Sequence, residues 1–273
     1  TLTIAGKTWS SFTNPDVVNF STYFNSEKSA YVSAKDNGSG VANMYYFISN
    51  KPLDMNTVMG LTSWTEIPSG TGSAATGEFS IKPGNVYEKV IYIKVLDAAG
   101  NATYISSNGF VFKSNAPQAN GAENGVTYIG DQEFYINDPY LDSVTINGKQ
   151  VFVDENGKLI LPATNEELTL VIKDKAGNER VLKIRVCDHF EQTISTDQME
   201  VRVVAPIGVF ETGSVLHVDD VPEGKNDYQS VMDNLDTKYR NIMENIGIYD
   251  IYVTDSKGVR YTNLNDYATI YIR

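Results

Sequence analysis

The chain has little of what chemistry is usually built from. One cysteine, Cys187, stands among 273 residues, so no internal disulfide can form and disulfide-built animal ectodomains are disfavoured. The only histidines are His189 and His217. Cys187, Asp188 and His189 fall together, but Cys187 and His189 supply two ligands where a zinc site usually takes four; a linker or edge-strand role is the plainer reading. No apolar run approaches the roughly 20 residues of a membrane helix, so no direct membrane insertion is expected. Basic residues are outnumbered: 22 Lys and Arg face 34 Asp and Glu, for a net charge of -12. With no basic patch to offset it, nucleic acid should be repelled. Ca²⁺, basic partners and neutral glycans stay open. The glycine-rich stretches lack the phosphate-loop and dinucleotide patterns, no Gly-x-Ser-x-Gly elbow is present, and neither histidine has a local serine partner. No catalytic residue and no cofactor is expected. The chain starts at Thr1, without Met or a signal peptide, which reads as a processed or truncated piece of a larger multidomain protein.

What is abundant points to β-structure. The 17 Tyr and 11 Phe suit pleated surfaces, and the length allows two or three small domains. "AYVSAKDNGSGVANMYYFIS", residues 30–49, reads as a hairpin: strand, Asp-Asn-Gly-Ser-Gly turn, strand. "KVIYIKVLD", residues 89–97, is a β-branched strand. The turn-rich stretch from Asn115 to Gly125 marks a first domain boundary. About six or seven strands follow, with hairpin signals at Asn147-Gly148 and Asn156-Gly157. A polar interruption from Cys187 to Gln198 marks a second boundary. From Asp227 to Ile246, apolar residues recur three and four apart, which predicts an amphipathic helix of about five turns packed on a sheet. The expected domains are 1–114, 115–187 and 188–273.

One phrase repeats. "DAAGN" spans Asp97 to Asn101 and "DKAGN" spans Asp174 to Asn178, each after an apolar run; a shorter Asp-x-x-Gly spans Asp255 to Gly258. The aspartates are 77 and 81 residues apart, an interval suited to a small β domain rather than to a solenoid repeat. The phrase reads as the turn joining the last two long strands of each domain. Asp97, Asp174 and Asp255 cap the turn through their side chains, with Asn101 and Asn178 satisfying further backbone groups. Gly100, Gly177 and Gly258 take the positive-φ position. Neither long copy has the ligand spacing of an EF-hand loop.

Two candidate sites remain. Trp9, Tyr45, Tyr46 and Trp64 are the rings best placed by sequence to stack on a sugar. Tyr45 and Tyr46 must face opposite ways on a regular strand, and Trp64 also fits a sandwich core. Asp219, Asp220 and Glu223 form the richest acidic cluster. A solvated loop is the plain reading of it; a Ca²⁺ site assembled with other carboxylates is the sharper one.

The strands and turns carry a resemblance. "VLDAAGNATYIS", "VIKDKAGNERVLKIRV" and "SAYVSAKDNGSGVANMYYFIS" resemble strand pairs of bacterial immunoglobulin-like domains, which occur in tandem in secreted or wall-attached proteins. The likeness covers roughly residues 28–186. The last segment more loosely resembles a β-rich accessory domain with an inserted helix. The resemblance implies an all-β fold, tandem immunoglobulin-like β-sandwiches followed by a β-rich domain carrying one amphipathic helix. It also implies a monomeric, non-catalytic spacer, stalk or adhesion segment on the outside of a bacterial cell. Its partners would be a cell-surface glycan or an extracellular protein. A carbohydrate-binding module attached to a glycosidase or adhesin is the alternative.

Overall fold

A computed structural model describes residues 1–222, 224, 229–230 and 247–273. The architecture is almost entirely β, with one short α-helix, α1 (Met55–Met59), and one 3-10 turn, Pro15–Val17, among the named elements. Most of the helix expected over 227–246 lies outside the described residues, as does Glu223; Gln229 and Ser230 are helical. The chain divides into two compact units. The first takes Thr1–Pro117, Asp138–Ser143 and Ile172–Arg180; the second takes Gln118–Asn137, Val144–Val171 and Val181–Arg273.

Ten strands arise within residues 1–114: β1 (Leu2–Ile4), β2 (Lys7–Trp9), β3 (Tyr23–Phe24), β4 (Lys28–Lys35), β5 (Val41–Ser49), β6 (Thr65–Ile67), β7 (Ala74–Ile81), β8 (Glu88–Asp97), β9 (Ala102–Ser106) and β10 (Phe110–Phe112). They form one sheet in the order β2-β1-β4-β7 and another in the order β3-β10-β8-β5-β6, with β9 also on β8. Period-2 burial drives the packing. Ala30 and Val32 of β4 and Ala75, Phe79 and Ile81 of β7 face Met44, Ile91, Ile93 and Phe110 across the core. The other face of β8 is not left to solvent. Val90 and Tyr92 are buried under Val58, Leu53, Leu61 and Trp64, which the α1 excursion brings over them, and under Phe12, Val18 and Phe20.

The expected hairpin at residues 30–49 is not one. β4 pairs with β1 and β7, and β5 pairs with β8 and β6, so the chain crosses from one sheet to the other. Asp36 shapes the crossing loop by drawing the Gly38 and Gly40 amides onto its carboxylate, at 2.9 and 2.7 Å, and the pairing of β4 with β7 and of β5 with β8 sets its direction. Gly40 O then accepts from Ala98 N, and Val41 exchanges bonds with Gly72, just ahead of β7.

The strands of residues 115–187 are β11 (Ala119–Asn120), β12 (Thr127–Ile129), β13 (Gln132–Ile136), β14 (Leu141–Ile146), β15 (Lys149–Gln150), β16 (Lys158–Leu161), β17 (Glu167–Asp174) and β18 (Glu179–Cys187). There are eight, several of two or three residues, which is why the sequence pattern shows fewer. Their order, β11-β13-β16 and β12-β18-β17-β14-β15, repeats the β1-β4-β7 and β8-β5-β6 pairings of the first segment. Asn147-Gly148 is the expected hairpin, with positive φ at both residues and β14 paired to β15. Asn156-Gly157 joins no paired strands, because β16 pairs with β13; it closes an Asp-x-x-Gly turn that starts at Asp154.

The last strands are β19 (His189–Ser195), β20 (Glu200–Pro206), β21 (Val215–Asp220), β22 (Tyr249–Thr254) and β23 (Thr269–Ile272), in sheets β19-β20-β23 and β21-β22. Phe190, Val201, Val203, Phe210, Leu216 and Val253 form their core. The expected polar interruption at 187–198 is mostly strand β19, since Phe190 and Ile194 alternate inward beneath exposed charges. Only Asp188 separates it from β18.

Candidate functional site

The repeated phrase builds one turn several times. At Asp97, the carboxylate accepts from Asn101 N and Asn101 Nδ2, both at 2.7 Å. The Asp97 amide donates to Asn101 O, and Gly100 N donates to Asp97 O. At Asp174 the same four bonds recur, with Asn178 N and Nδ2 each 2.9 Å from the carboxylate. Asp154 and Asp255 make shorter versions, drawing in the amides of Asn156 and Lys158, and of Lys257 and Val259. The glycine at the fourth position of each turn has φ between 79° and 87°, the left-handed region where a Cβ is costly. The turn after Asp255 departs from the expectation. It returns only to a Thr254–Arg260 bridge, and the following strand, β23, pairs with β20 instead.

The two long copies differ in surroundings. Asp97 is half-buried and Asn101 exposed. Asp174 is buried, and within the first compact unit it meets Lys113, the residue after β10. Lys113 Nζ donates to Asp174 Oδ2 at 2.7 Å, to Asp138 Oδ2 at 2.8 Å and to Asn115 O at 2.5 Å, so its three protons are all used. The side chains of Lys113 and Asp138 are 4% exposed and that of Asp174 is 0%. Asn178 Nδ2 closes the cluster onto Lys113 O at 2.7 Å. Burial works against the Lys113 charge, but hydrogen bonds to Asp138 and Asp174 outweigh it and hold the pKa above the ordinary lysine value. Burial likewise opposes the Asp174 charge, and Lys113 and Asn178 overcome it, so its carboxyl sits below the usual range. Beside the cluster, Tyr140 packs edge-on against Tyr23 and Tyr87 and reaches Glu88 Oε1 at 3.3 Å. Burial and then the Glu88 charge push its phenol up to about 12.

Sequence reading missed Lys113 and Asp138. The available signals were a lone lysine closing the apolar run "FVFK" and an Asp-Pro pair that opens a loop.

The four rings singled out by sequence do not share a face. Tyr45 and Tyr46 point opposite ways. Tyr46 stacks on Phe79 at 4.0 Å and Trp9 meets Phe110 edge-on at 5.5 Å, both against the main core. Trp64 lies in the second apolar cluster between Phe47 and Tyr104, its Nε1 donating to Leu61 O. Lys94 sits over both Tyr45 and Trp64. None of the four is fully exposed.

Asp219 and Asp220 end β21 opposite Asp250 and Tyr249, and Asp219 accepts from the Tyr252 hydroxyl at 2.7 Å. Among the described residues no three His, Cys, Asp or Glu side chains group as a metal site. His189 has both ring nitrogens engaged by carboxylates, Nδ1 with Asp188 and Nε2 with Glu191, and these bonds, Glu191's first, raise its pKa. Burial raises that of Cys187. Among the described residues no helix is long and apolar enough to cross a membrane.

No protein-family model matches the chain, and no curated protein does. Among solved structures, it is similar to the fibronectin(III)-like modules of Clostridium thermocellum CbhA, at 11% identity and TM-score 0.27, over 68% of this chain and 94% of that one. It is similar to the FN1-FN3 domains of chicken CNTN1, at 9% identity and TM-score 0.26, over 93% and 86%. A third similar structure is SGBP-B of the Bacteroides ovatus mixed-linkage glucan utilization locus, determined with a mixed-linkage heptasaccharide, at 13% identity and TM-score 0.22, over 98% and 68%. Similarity of this degree transfers no residue role.

Proposed function

We propose that the chain is a run of non-catalytic β-sandwich modules, over 1–114, 115–187 and 188–273, that serves as an extracellular spacer or adhesion segment of a bacterial surface protein. The first two modules are read as immunoglobulin-like. Two facts of the fold support the division: each sheet draws its strands from one segment, and the first two segments share their strand pairings. The observation that carries the spacer reading is the Lys113 cluster. Lys113 belongs to the end of the first segment, Asp138 to a loop and Asp174 to the end of β17 in the second, and the three side chains are buried together in one compact unit. A buried charge stripped of its partner costs about 3–5 kcal/mol. A joint made this way resists bending far better than an open linker, and stiffness is what a spacer needs.

The test is a distance distribution. Spin labels at Lys82 and Asp142, both exposed and both in the first compact unit, are introduced through cysteine in a Cys187→Ser background and read by pulsed dipolar spectroscopy. A narrow distribution that broadens in Lys113→Ala is expected. A distribution already broad in the parent chain sinks the spacer reading.

A further inference from the structure

We infer that Lys113 and Asp174 join covalently: the lysine amine condenses with the aspartate carboxyl to an amide between the two side chains, with loss of one water, and Asp138 carries the proton that the step moves. The inference starts from the cluster that stiffens the first joint but does not rest on the spacer reading, since the chemistry needs only the three side chains.

In water an amine and a carboxylate stay an ion pair, because water solvates both charges and is in excess to reverse the condensation. The Lys113 cluster removes both obstacles. The side chains of Lys113, Asp138 and Asp174 are all but sealed from solvent, and the Tyr87 ring lies 5.9 Å from Lys113 Nζ. Nζ is held 2.7 Å from Asp174 Oδ2, one bond from the carbon it attacks, and fixed proximity of this kind replaces a large effective concentration. Other lysines come as near a carboxylate and stay wet. Lys158 reaches Glu133 at 2.6 Å and Lys173 reaches Glu179 at 2.8 Å, with the two carboxylate side chains 51% and 40% exposed. Among the described lysine ion pairs only those of Lys113 are buried, so one bond is expected and one water lost.

The resting cluster is ionic, and the reaction leaves that state by proton transfer inside it, which cancels two buried charges and so costs less here than in bulk solvent. The ammonium passes one proton to Asp174 Oδ2. The free amine adds to Asp174 Cγ, and the charge that develops on Oδ1 faces the Asn178 amide, already 2.9 Å away, as in an oxyanion hole. Asp138 Oδ2, 2.8 Å from Nζ, takes a second proton from the nitrogen and delivers it to Asp174 Oδ2, which leaves as water. Asp138 is fixed for this by its other oxygen, which accepts from Tyr140 N at 2.9 Å. The C–N bond forms, the Cγ–Oδ2 bond breaks, and no oxidant or further reactant enters. Asp138, left without a cation, draws a proton from solvent and bonds the new amide as a neutral acid. Chains that have not reacted keep the ion pair and its titration.

The test is a mass. The purified chain is held at neutral pH, and its intact mass is followed under denaturing conditions. The expected result is a species lighter by one water, and a proteolytic digest in which the peptide carrying Lys113 is joined as a branch to the peptide carrying Asp174. Lys113→Arg keeps a cation on the same carboxylates without a nucleophilic amine, and should hold its full mass. Asp174→Asn should lose ammonia in place of water, because the side-chain nitrogen is then the leaving group. Asp138→Asn should slow the loss by at least about tenfold. A parent chain that holds its full mass overturns the inference. So does a water loss that persists in Lys113→Arg, which would come from ring closure of an aspartate on its own backbone. A branch to Asp138 in place of Asp174 overturns the roles given to the two carboxylates. If a variant does not fold, the branched peptide of the parent decides alone. Full mass together with a narrow spin-label distribution removes the cross-link and leaves the spacer reading in place.

Discussion

Lys113 Nζ lies 2.7 Å from Asp174 Oδ2, and almost none of either side chain touches solvent. An isolated surface pair of this geometry would be worth little, but here the ammonium has no water to fall back on and is satisfied by three acceptors. Lys113→Ala should therefore destabilise the protein by about 3–5 kcal/mol, because it strands two buried carboxylates. Lys113→Met fills the volume and still leaves those charges. Adding Asp138→Asn and Asp174→Asn to Lys113→Met removes them and keeps the acceptors of Tyr140 N and Asn178 N, but gives up the bond from Asn178 Nδ2 to Asp174 Oδ2, and should recover part of the loss. Urea denaturation of the three variants checks the order. A lysine variant that unfolds like the parent would show the pair to be inert.

The same cluster sets a pH window. Asp174 titrates below its ordinary value, so its stabilisation is present above the unfolded pKa of about 4 and lost as pH falls through the lower folded one. Lys113 titrates above its ordinary value, so its part is complete below about 10.4 and lost as pH rises through the folded one. Tyr140 behaves like the lysine in sign: its neutral form is favoured below about 10, and that preference fades as pH passes its folded value of about 12. Urea midpoints should form a plateau over neutral pH and drop at both ends. In the triple neutral variant the acid shoulder should shrink, and Tyr140→Phe should trim only the alkaline one.

How much of this was readable beforehand depended on range. The turn phrase was legible because its chemistry is local: Asp, Gly and Asn within five residues satisfy one another wherever the turn is placed. Strand alternation was legible at Phe190 and Ile194 too, yet surrounding charges masked it. The β4–β5 crossing was not legible, since Asp36 builds a loop whose sequence suits a hairpin equally well, and only pairing with β7 and β8 decides. The Lys113 cluster was least accessible. Its two carboxylates are 25 and 61 residues from Lys113 in sequence, and a lysine on paper shows no sign of being buried.

The turn glycines separate backbone strain from crowding. Gly100 has φ of 87° and open space where a Cβ would go; Gly177 has φ of 86° and meets only Asn25 Nδ2 at 3.8 Å. Alanine at either should cost roughly 1–2 kcal/mol through conformation alone, with more room for error at Ala99 and Ala176, whose φ is not positive. Gly157 has a similar φ of 79°, but its Cβ would lie 2.4 Å from Ile136 O. Gly157→Ala should therefore lose clearly more than Gly100→Ala. Thermal or urea unfolding of the pair decides, and equal losses would mean the backbone at Gly157 yields at no cost.

Trp64 tests the carbohydrate alternative against the packing seen. Its ring closes the cluster over Val90 and Tyr92, and its N–H is spent on Leu61 O. Burial of this kind makes Trp64→Ala a stability mutation, at about 2–4 kcal/mol for a large aromatic that is partly covered. Glycan binding, screened on an array in Ca²⁺ and in chelator, should be absent from the parent chain in both. A chelator-resistant hit that Trp64→Ala abolishes while the unfolding midpoint stays put would reverse the assignment. The ring would then be working on a ligand, and the Lys94 ammonium over its face would be part of that site and not only of the fold.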